Sequence, residues 1–169
     1  MFFTGCNNKS PEKLPDDKII YSKIDQIIFG LNKDTIDFIP LCGALIFEIY
    51  RNSNLKSTDT LSMKVNDHSY DVNCFHAFCV NSSNFDLTTL SENIDIPYSS
   101  FWGNPGNVFS LENFAGKGEK FIGVSFIYGS QINYAWIKIY CSLHNDTLKI
   151  IDWAYNQTVN GRIKTGQKN

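Results

Sequence analysis

The sequence lacks an excess of charge of either sign. It contains 15 Lys and Arg residues against 17 Asp and Glu residues, and neither kind forms a dense run. Proteins that bind nucleic acid or anionic lipid headgroups electrostatically concentrate positive charge in a patch or stripe. We therefore do not expect nucleic acid as a partner.

Long apolar runs and long helical periods are also missing. No stretch approaches the roughly 18 consecutive apolar residues that a membrane-spanning helix needs. Apolar residues do not keep a helical spacing beyond about two turns, so long helices are not predicted. The composition, 43% hydrophobic and 14% aromatic over 169 residues, is nevertheless ordinary for a packed protein. We predict one domain with one main core.

Recognisable catalytic motifs are absent. The chain has no Gly-x-Ser-x-Gly turn and no Cys with an evident His partner, and its three histidines, His68, His76 and His144, are scattered. Carboxylate pairs that cleave glycosidic bonds meet in space from unrelated positions, so they need no motif. The sequence thus favours a non-catalytic protein, with a small hydrolase or an accessory subunit of a glycan-degrading system as the alternative.

Two segments suggest metal ligands but do not complete a site. Cys74, His76 and Cys79 include zinc-binding side chains, yet side chains alternate faces in a strand, so only two of the three could reach one ion. Residues 30–38 offer at most three side-chain oxygen ligands for calcium and lack the glycine of a calcium loop. We expect an Asx-rich turn there that leads into a strand, and neither a metal nor a cofactor is predicted.

The dominant period in the chain is two residues. Within residues 60–66, Leu61, Met63 and Val65 point to one face while polar residues point to the other, which predicts a half-buried strand. Four more segments are rich in β-branched and aromatic residues: residues 44–50, 120–128, 131–142 and 147–156. This pattern predicts an all-β protein, specifically an antiparallel β-sandwich.

Short turns connect the last three of these strands. Gly129-Ser130 is typical of a two-residue hairpin, because Gly adopts the positive φ that such turns require, and residues 144–146 form the next turn. These connections predict an antiparallel meander. Residues 81–118, dense in Ser, Asn, Pro and Gly, predict long loops with short strands.

The N-terminal residues predict where in the cell the protein is located. A small residue directly before a cysteine, here Gly5 before Cys6, is what lipoprotein processing accepts, and the residues before them suit the end of an apolar export signal. Residues 7–17 are polar and contain proline, as a solvated tether would. We predict that residues 1–17 are a signal remnant and tether, and that lipid on Cys6 anchors residues 18–169 to a membrane of the cell envelope. The alternative is a disordered terminus with a chance Gly-Cys pair.

The other cysteines leave disulfides undecided. They are even in number, in a compartment that permits oxidation, and sequence cannot rank their three possible pairings: Cys42, Cys74, Cys79 and Cys141. Cys141 is in phase with the apolar Ile137 and Ile139, which favours a buried thiol as much as a bridge.

Aromatic residues are the remaining candidates for ligand contact. We expect Tyr134 and Trp136 to share a sheet face with Trp153 and Tyr155 of the next strand, either as core or as a sugar-stacking platform. Core is favoured, because the strands of a sandwich must bury one face.

Phe101 and Trp102 differ from those four residues because the turn residues around them, at positions 98–106, predict a loop. Aromatic side chains on a loop are often ligand contacts. These two residues therefore either contact a glycan or protein ligand or pin the loop itself.

Three short segments near the C terminus follow a pattern of two strands and a closing turn: Tyr134-Ala135-Trp136, Asp152-Trp153-Ala154-Tyr155 and Thr165-Gly166-Gln167. Residues 112–167 resemble the C-terminal block of uncharacterised secreted proteins of Gram-negative bacteria, in which the segments read Tyr-Gly-Trp, Asp-Tyr-Ala-Tyr and Ala-Gly-Gln. Ala135 stands where the family usually has Gly, and Trp153 where it usually has Tyr. The resemblance implies an extracytoplasmic β-rich domain of unknown activity and supplies no catalytic residue.

Overall fold

The structure, a computed structural model, describes twelve strands and one short 3-10 helix. The described residues are 18–29, 37–41, 45–52, 60–67, 75–78, 87–96, 102–103, 109–128, 131–144 and 147–169. The strands are β1 (Ile19–Phe29), β2 (Asp37–Leu41), β3 (Leu45–Asn52), β4 (Thr60–Asp67), β5 (Phe75–Phe78), β6 (Asp95–Ile96), β7 (Trp102–Gly103), β8 (Phe109–Ser110), β9 (Gly118–Tyr128), β10 (Gln131–Cys141), β11 (Leu148–Asn156) and β12 (Ile163–Lys164). The 3-10 helix is Glu112–Phe114.

The all-β prediction is confirmed. Every strand pair is antiparallel, and the described ranges contain no α-helix. The strands lie where β-branched and aromatic residues are dense, because those side chains suit a pleated surface. The stacking of the sheets as a sandwich stays a prediction.

The largest sheet has six strands in the order β1-β11-β10-β9-β5-β7. Its centre is the predicted meander, in which β10 pairs with β9 on one side and β11 on the other. The second turn was predicted at residues 144–146, of which His144 is described as a turn residue, whereas Asn145-Asp146 and the first predicted turn, Gly129-Ser130, lie outside the described residues. Along β11 the chain also pairs with β1, which is therefore an edge strand of this sheet.

A second sheet has the order β2-β3-β4-β8. Strands β3 and β4 correspond to the predicted segments 44–50 and 60–66, and Ile49 faces Met63 across them. Strand β2 begins at Asp37, where the Asx-rich turn was predicted to lead into a strand. Pro40 is tolerated in β2 because this strand lies at the sheet edge.

The segment predicted as long loops contains only two-residue strands and the 3-10 helix in its described part. One expectation about it was wrong. Trp102 was expected in a loop, but its backbone belongs to β7, and Trp102 pairs with Phe78 at the outer edge of β5. A sheet edge offers unpaired backbone groups, and an aromatic residue suits a strand, so a short local pairing forms there.

The four aromatic residues expected on one face lie on two. Directly paired residues share a face, and Trp136 pairs with Ala154 whereas Ile137 pairs with Trp153. The cause is a one-residue bulge at Ile151. Ile139 pairs with Ile150, but its neighbour Lys138 pairs with Asp152, so Ile151 is the extra residue on β11. Without this bulge, the pairing of Ile139 with Ile150 would place Trp136 opposite Trp153.

Both faces of the central strands are buried. On the Ile137 face, five aliphatic residues are at most 1% exposed: Ile122, Val124, Ile137, Ile139 and Ile150. On the Trp136 face, the core consists of six residues: Leu90, Ile96, Phe121, Trp136, Ala154 and Ile163. Leu90, Ile96 and Ile163 come from outside the six strands, so the segments around β6 and β12 cover this face.

Candidate functional site

Trp136 is the centre of its face. Its side chain is fully buried, with the Phe121 ring edge-on at 5.4 Å and the Tyr21 ring tilted at 6.4 Å between centroids. The interpretation of Trp136 as core is therefore confirmed. Trp153 and Tyr155 stack on each other on the opposite face, with ring centroids 6.1 Å apart.

The last seven residues, 163–169, cross the Trp136 face; we call them the C-terminal strap. Strand β12 pairs with β6, and the next residue, Thr165, fastens the strap. The Thr165 backbone N–H donates to the Ile94 carbonyl, and its own carbonyl accepts from the Asn93 N–H, both at 2.9 Å. Its hydroxyl, fully buried, donates to the Ser91 carbonyl at 2.6 Å and accepts from the Ile94 N–H at 2.8 Å. A buried hydroxyl satisfied on both sides holds the strap firmly.

Gly166 changes the direction of the strap. Its φ of +84° lies in the left-handed region, which glycine adopts without the strain that a side chain would cause. The next carbonyl, that of Gln167, accepts the indole N–H of Trp136 at 3.2 Å. A buried indole N–H needs a hydrogen-bond acceptor, and the strap supplies the acceptor for Trp136.

A polar cluster of Asp152, Tyr21 and Lys168 lies beside Trp136. The Tyr21 hydroxyl and the Lys168 ammonium each donate to Oδ2 of Asp152 at 3.1 Å, and the ammonium also donates to the Tyr21 oxygen at 3.1 Å. The same ammonium lies 4.5 Å from the centroid of the Tyr21 ring, within cation–π range. The Asp152 side chain is 5% exposed and that of Lys168 is 49% exposed.

Only one carboxylate oxygen of Asp152 is used in this cluster. Its other oxygen, Oδ1, is buried and has no hydrogen-bond partner in the described structure. A buried carboxylate oxygen without a donor is costly, so the cluster has unused acceptor capacity.

The Lys168 ammonium is charged across the neutral pH range. The hydrogen bond to Tyr21, followed by the hydrogen bond to Asp152, raises the pKa of Lys168 above its ordinary value of 10.5. A group whose pKa is higher in the folded state contributes its stabilisation fully below the unfolded pKa. It loses that contribution as the pH rises through the folded pKa. The Lys168 ammonium therefore keeps its charge until strongly alkaline pH.

The predicted site residues are only partly within the described structure. Cys6 and Phe101 lie outside the described residues, and Trp102 is described by its backbone alone, in β7. Cys141 is a fully buried thiol on the Ile137 face, which confirms one of the two interpretations of that residue. The other three cysteines lie outside: Cys42, Cys74 and Cys79.

Neither suggested metal segment is fully described. His76 belongs to β5, while Cys74 and Cys79 on either side lie outside, as do Asn32 and Asp34. Among the residues that are described, no group of three His, Cys, Asp or Glu side chains could hold a metal ion. Nor does any helix within these ranges have the length and apolar character needed to cross a membrane.

Sequence reasoning did not identify the Asp152 cluster. Tyr21 and Lys168 are 147 residues apart, and no local pattern relates them. One signal was available: Asp152 lies between Ile151 and Trp153 in an apolar strand, and a carboxylate buried in a strand needs a donor or a cation.

The three segments that carry the family resemblance meet on the Trp136 face. Trp136 pairs with Ala154 and donates to Gln167, and Asp152 binds the residue that follows Gln167. No family model matches this chain, and no curated protein or solved structure matches it either. Membership of the family therefore stays a prediction.

Proposed function

We propose that the chain is a non-catalytic lipoprotein of the bacterial cell envelope. Lipid on Cys6 would anchor it, and its surface would contact a glycan or protein ligand. The observation that carries the proposal is the Gly5-Cys6 pair followed by the polar residues 7–17, directly before a chain rich in strands. That order is typical of an anchor, a tether and a folded domain.

The described chemistry favours binding over catalysis. Among the residues whose side-chain burial the structure describes, Asp152 is the one buried carboxylate, and its Oδ2 accepts hydrogen bonds from Lys168 and Tyr21. Asp152 therefore has the surroundings of a structural or ligand-binding carboxylate.

Phe101 and Trp102 are the proposed ligand contacts. Strand β7, to which Trp102 belongs, is the outermost strand of the six-stranded sheet and only two residues long. Edge positions next to loops are common in recognition, because neighbouring strands do not cover them.

The proposed lipid attachment at Cys6 is tested by metabolic labelling with palmitate. We expect the protein, expressed with its natural coding context in a Gram-negative host, to incorporate the label, and the Cys6→Ala variant to lose it. Cys42→Ala is the matched control and should keep the label. Labelling that survives Cys6→Ala, or no labelling of any form, would refute the proposed anchor.

The ligand surface is tested separately on a glycan array and by capture of envelope proteins. A Phe101→Ala, Trp102→Ala double variant should lose any ligand that the parent protein binds, while an exposed control, Leu143→Ala, should keep it. A double variant that binds like the parent protein would place the ligand surface elsewhere.

A further inference from the structure

The Asp152 cluster has the form of a small receptor occupied by part of the same chain. Its receptor side chains project from three adjacent strands, Tyr21 from β1, Asp152 from β11 and Trp136 from β10. They present four groups to the strap: a carboxylate, a phenol oxygen, an aromatic ring and an indole N–H. The strands fix these groups, because Trp136 is fully buried and Asp152 nearly so.

The strap fills this receptor with two consecutive residues. The Gln167 carbonyl accepts a hydrogen bond from the indole N–H. The Lys168 ammonium donates hydrogen bonds to the carboxylate and to the phenol oxygen, and it lies over the Tyr21 ring. A backbone carbonyl followed by a lysine side chain is a feature that any peptide containing lysine can present. The contacts use little that is unique to the C terminus of this chain.

Simple proximity of charge does not explain why Lys168 occupies the site. Lys23 and Lys138 are the direct cross-strand partners of Asp152, one on each side. Their ammonium groups nevertheless contact other carboxylates, Lys23 that of Asp25 at 3.9 Å and Lys138 that of Glu119 at 2.6 Å. The ammonium that reaches Asp152 is therefore the one that lies over the Tyr21 ring, and not that of a cross-strand partner.

The chemistry of the site also distinguishes lysine from arginine. Oδ2 of Asp152 and the oxygen of Tyr21 converge on one nitrogen atom, each at 3.1 Å. A compact ammonium with three rotatable donors fits such a point, whereas a planar guanidinium requires two parallel acceptors. The Tyr21 ring adds cation–π attraction.

We propose that Asp152 and Tyr21, beside Trp136, form a binding site for the lysine side chain of a partner peptide, and that Lys168 occupies it as an internal ligand while the Gln167 carbonyl stays on the Trp136 indole. Lys168 is half exposed, so its ammonium can be displaced without opening the core. The proposal does not depend on the lipid anchor or on Phe101 and Trp102.

The test uses the full chain with Lys168→Ala, which empties the ammonium position and leaves the strap in place. The probes are n-butylammonium, which reproduces the lysine side chain, and the blocked dipeptide acetyl-Gln-Lys-N-methylamide. We expect both probes to raise the Tm of the variant by a few degrees at tens of millimolar, and to shift the indole N–H resonance of Trp136 saturably. The wild-type protein should respond at least about tenfold more weakly, because its own Lys168 competes as a tethered ligand.

Three controls decide the outcome. Lys164→Ala, an exposed lysine of the same strap, should behave like the wild-type protein. A dipeptide with norleucine in place of lysine should not bind, and Asp152→Asn added to Lys168→Ala should abolish the response to both probes. Absence of binding, or binding that persists with Asp152→Asn or with norleucine, would overturn the proposal. Binding of n-butylammonium without the dipeptide would overturn its assignment to a peptide.

Discussion

Trp136 combines two roles that a buried aromatic residue can have. Its ring fills the space between Tyr21 and Phe121, and its indole N–H fixes the strap through the Gln167 carbonyl. A tryptophan buried in this way contributes a large apolar area without leaving a donor unsatisfied. We conclude that this residue couples the core of the six-stranded sheet to the end of the chain.

Truncation of this side chain should severely destabilise the protein. We expect Trp136→Ala to lower the free energy of unfolding by about 3 to 5 kcal/mol, because it removes buried apolar contacts and leaves a cavity. Urea unfolding followed by circular dichroism measures the loss. The control is Leu143→Ala, at a residue that is 68% exposed, which should stay within about 0.5 kcal/mol of wild type. A Trp136→Ala protein that melts within a degree or two of wild type would contradict the assignment to the core.

Individual residues differed in how far the sequence could predict them. The burial of Trp136 and of the Cys141 thiol followed from their phase with apolar neighbours. The contacts of Tyr21 with Asp152 and Lys168 could not be predicted, because they span 131 and 147 residues and depend on which strands become neighbours. Periodicity reports the face of a residue, not its partner on that face.

At the scale of single elements, β11 shows how one residue can alter a prediction. Its position was predicted almost to the residue, as 147–156 against the observed Leu148–Asn156. The prediction that Trp153 shares a face with Trp136 was wrong, because the bulge at Ile151 moves Trp153 to the opposite face of the sheet. Side chains in a strand alternate with a period of two, so a one-residue shift reverses every assignment beyond it. The residues around Ile151 show no glycine or proline that would have signalled the bulge.

The strap is a second element whose stability can be tested, through Thr165. The Thr165→Val substitution keeps the shape of the side chain but removes the hydroxyl that bonds the Ser91 carbonyl and the Ile94 N–H. Both backbone groups would then be left without that partner, at a cost of about 1 to 3 kcal/mol. We expect the amides of Asn93 and Thr165 to exchange hydrogen roughly tenfold faster or more, measured by NMR.

The matched control is Thr158→Val, in the turn before the strap. The Thr158 backbone N–H bonds the Asn156 side chain, a contact that the substitution leaves in place. Exchange of the Asn93 and Thr165 amides should be unchanged in this control. Equal exchange in the Thr165→Val protein and wild type would mean that the hydroxyl does not hold the strap.

For the whole molecule, local patterns were sufficient for the class of fold and the central meander. They did not supply the order of the remaining strands. Strand β1 pairs with β11, and β5 pairs with β9, through contacts between distant parts of the chain. Such pairings follow from the joint packing of many residues rather than from any local turn or period. For the same reason the sandwich arrangement stays a prediction, to be decided by how the two main sheets pack.

The cysteine content of the whole chain gives a final prediction. Cys141 is a buried thiol in the structure, and three cysteines remain besides it and Cys6, namely Cys42, Cys74 and Cys79. Three cysteines can form at most one bridge within the chain. A monomeric Cys6→Ala protein, unfolded in denaturant without reductant, should therefore show about two or four reactive thiols in a thiol-titration assay, depending on whether that bridge forms. A domain of this size can bury enough apolar surface to fold without disulfides, so we expect either state to be folded before denaturant is added. A complete absence of reactive thiols in the unfolded protein would require Cys141 to be bridged, and would contradict its assignment as a buried thiol.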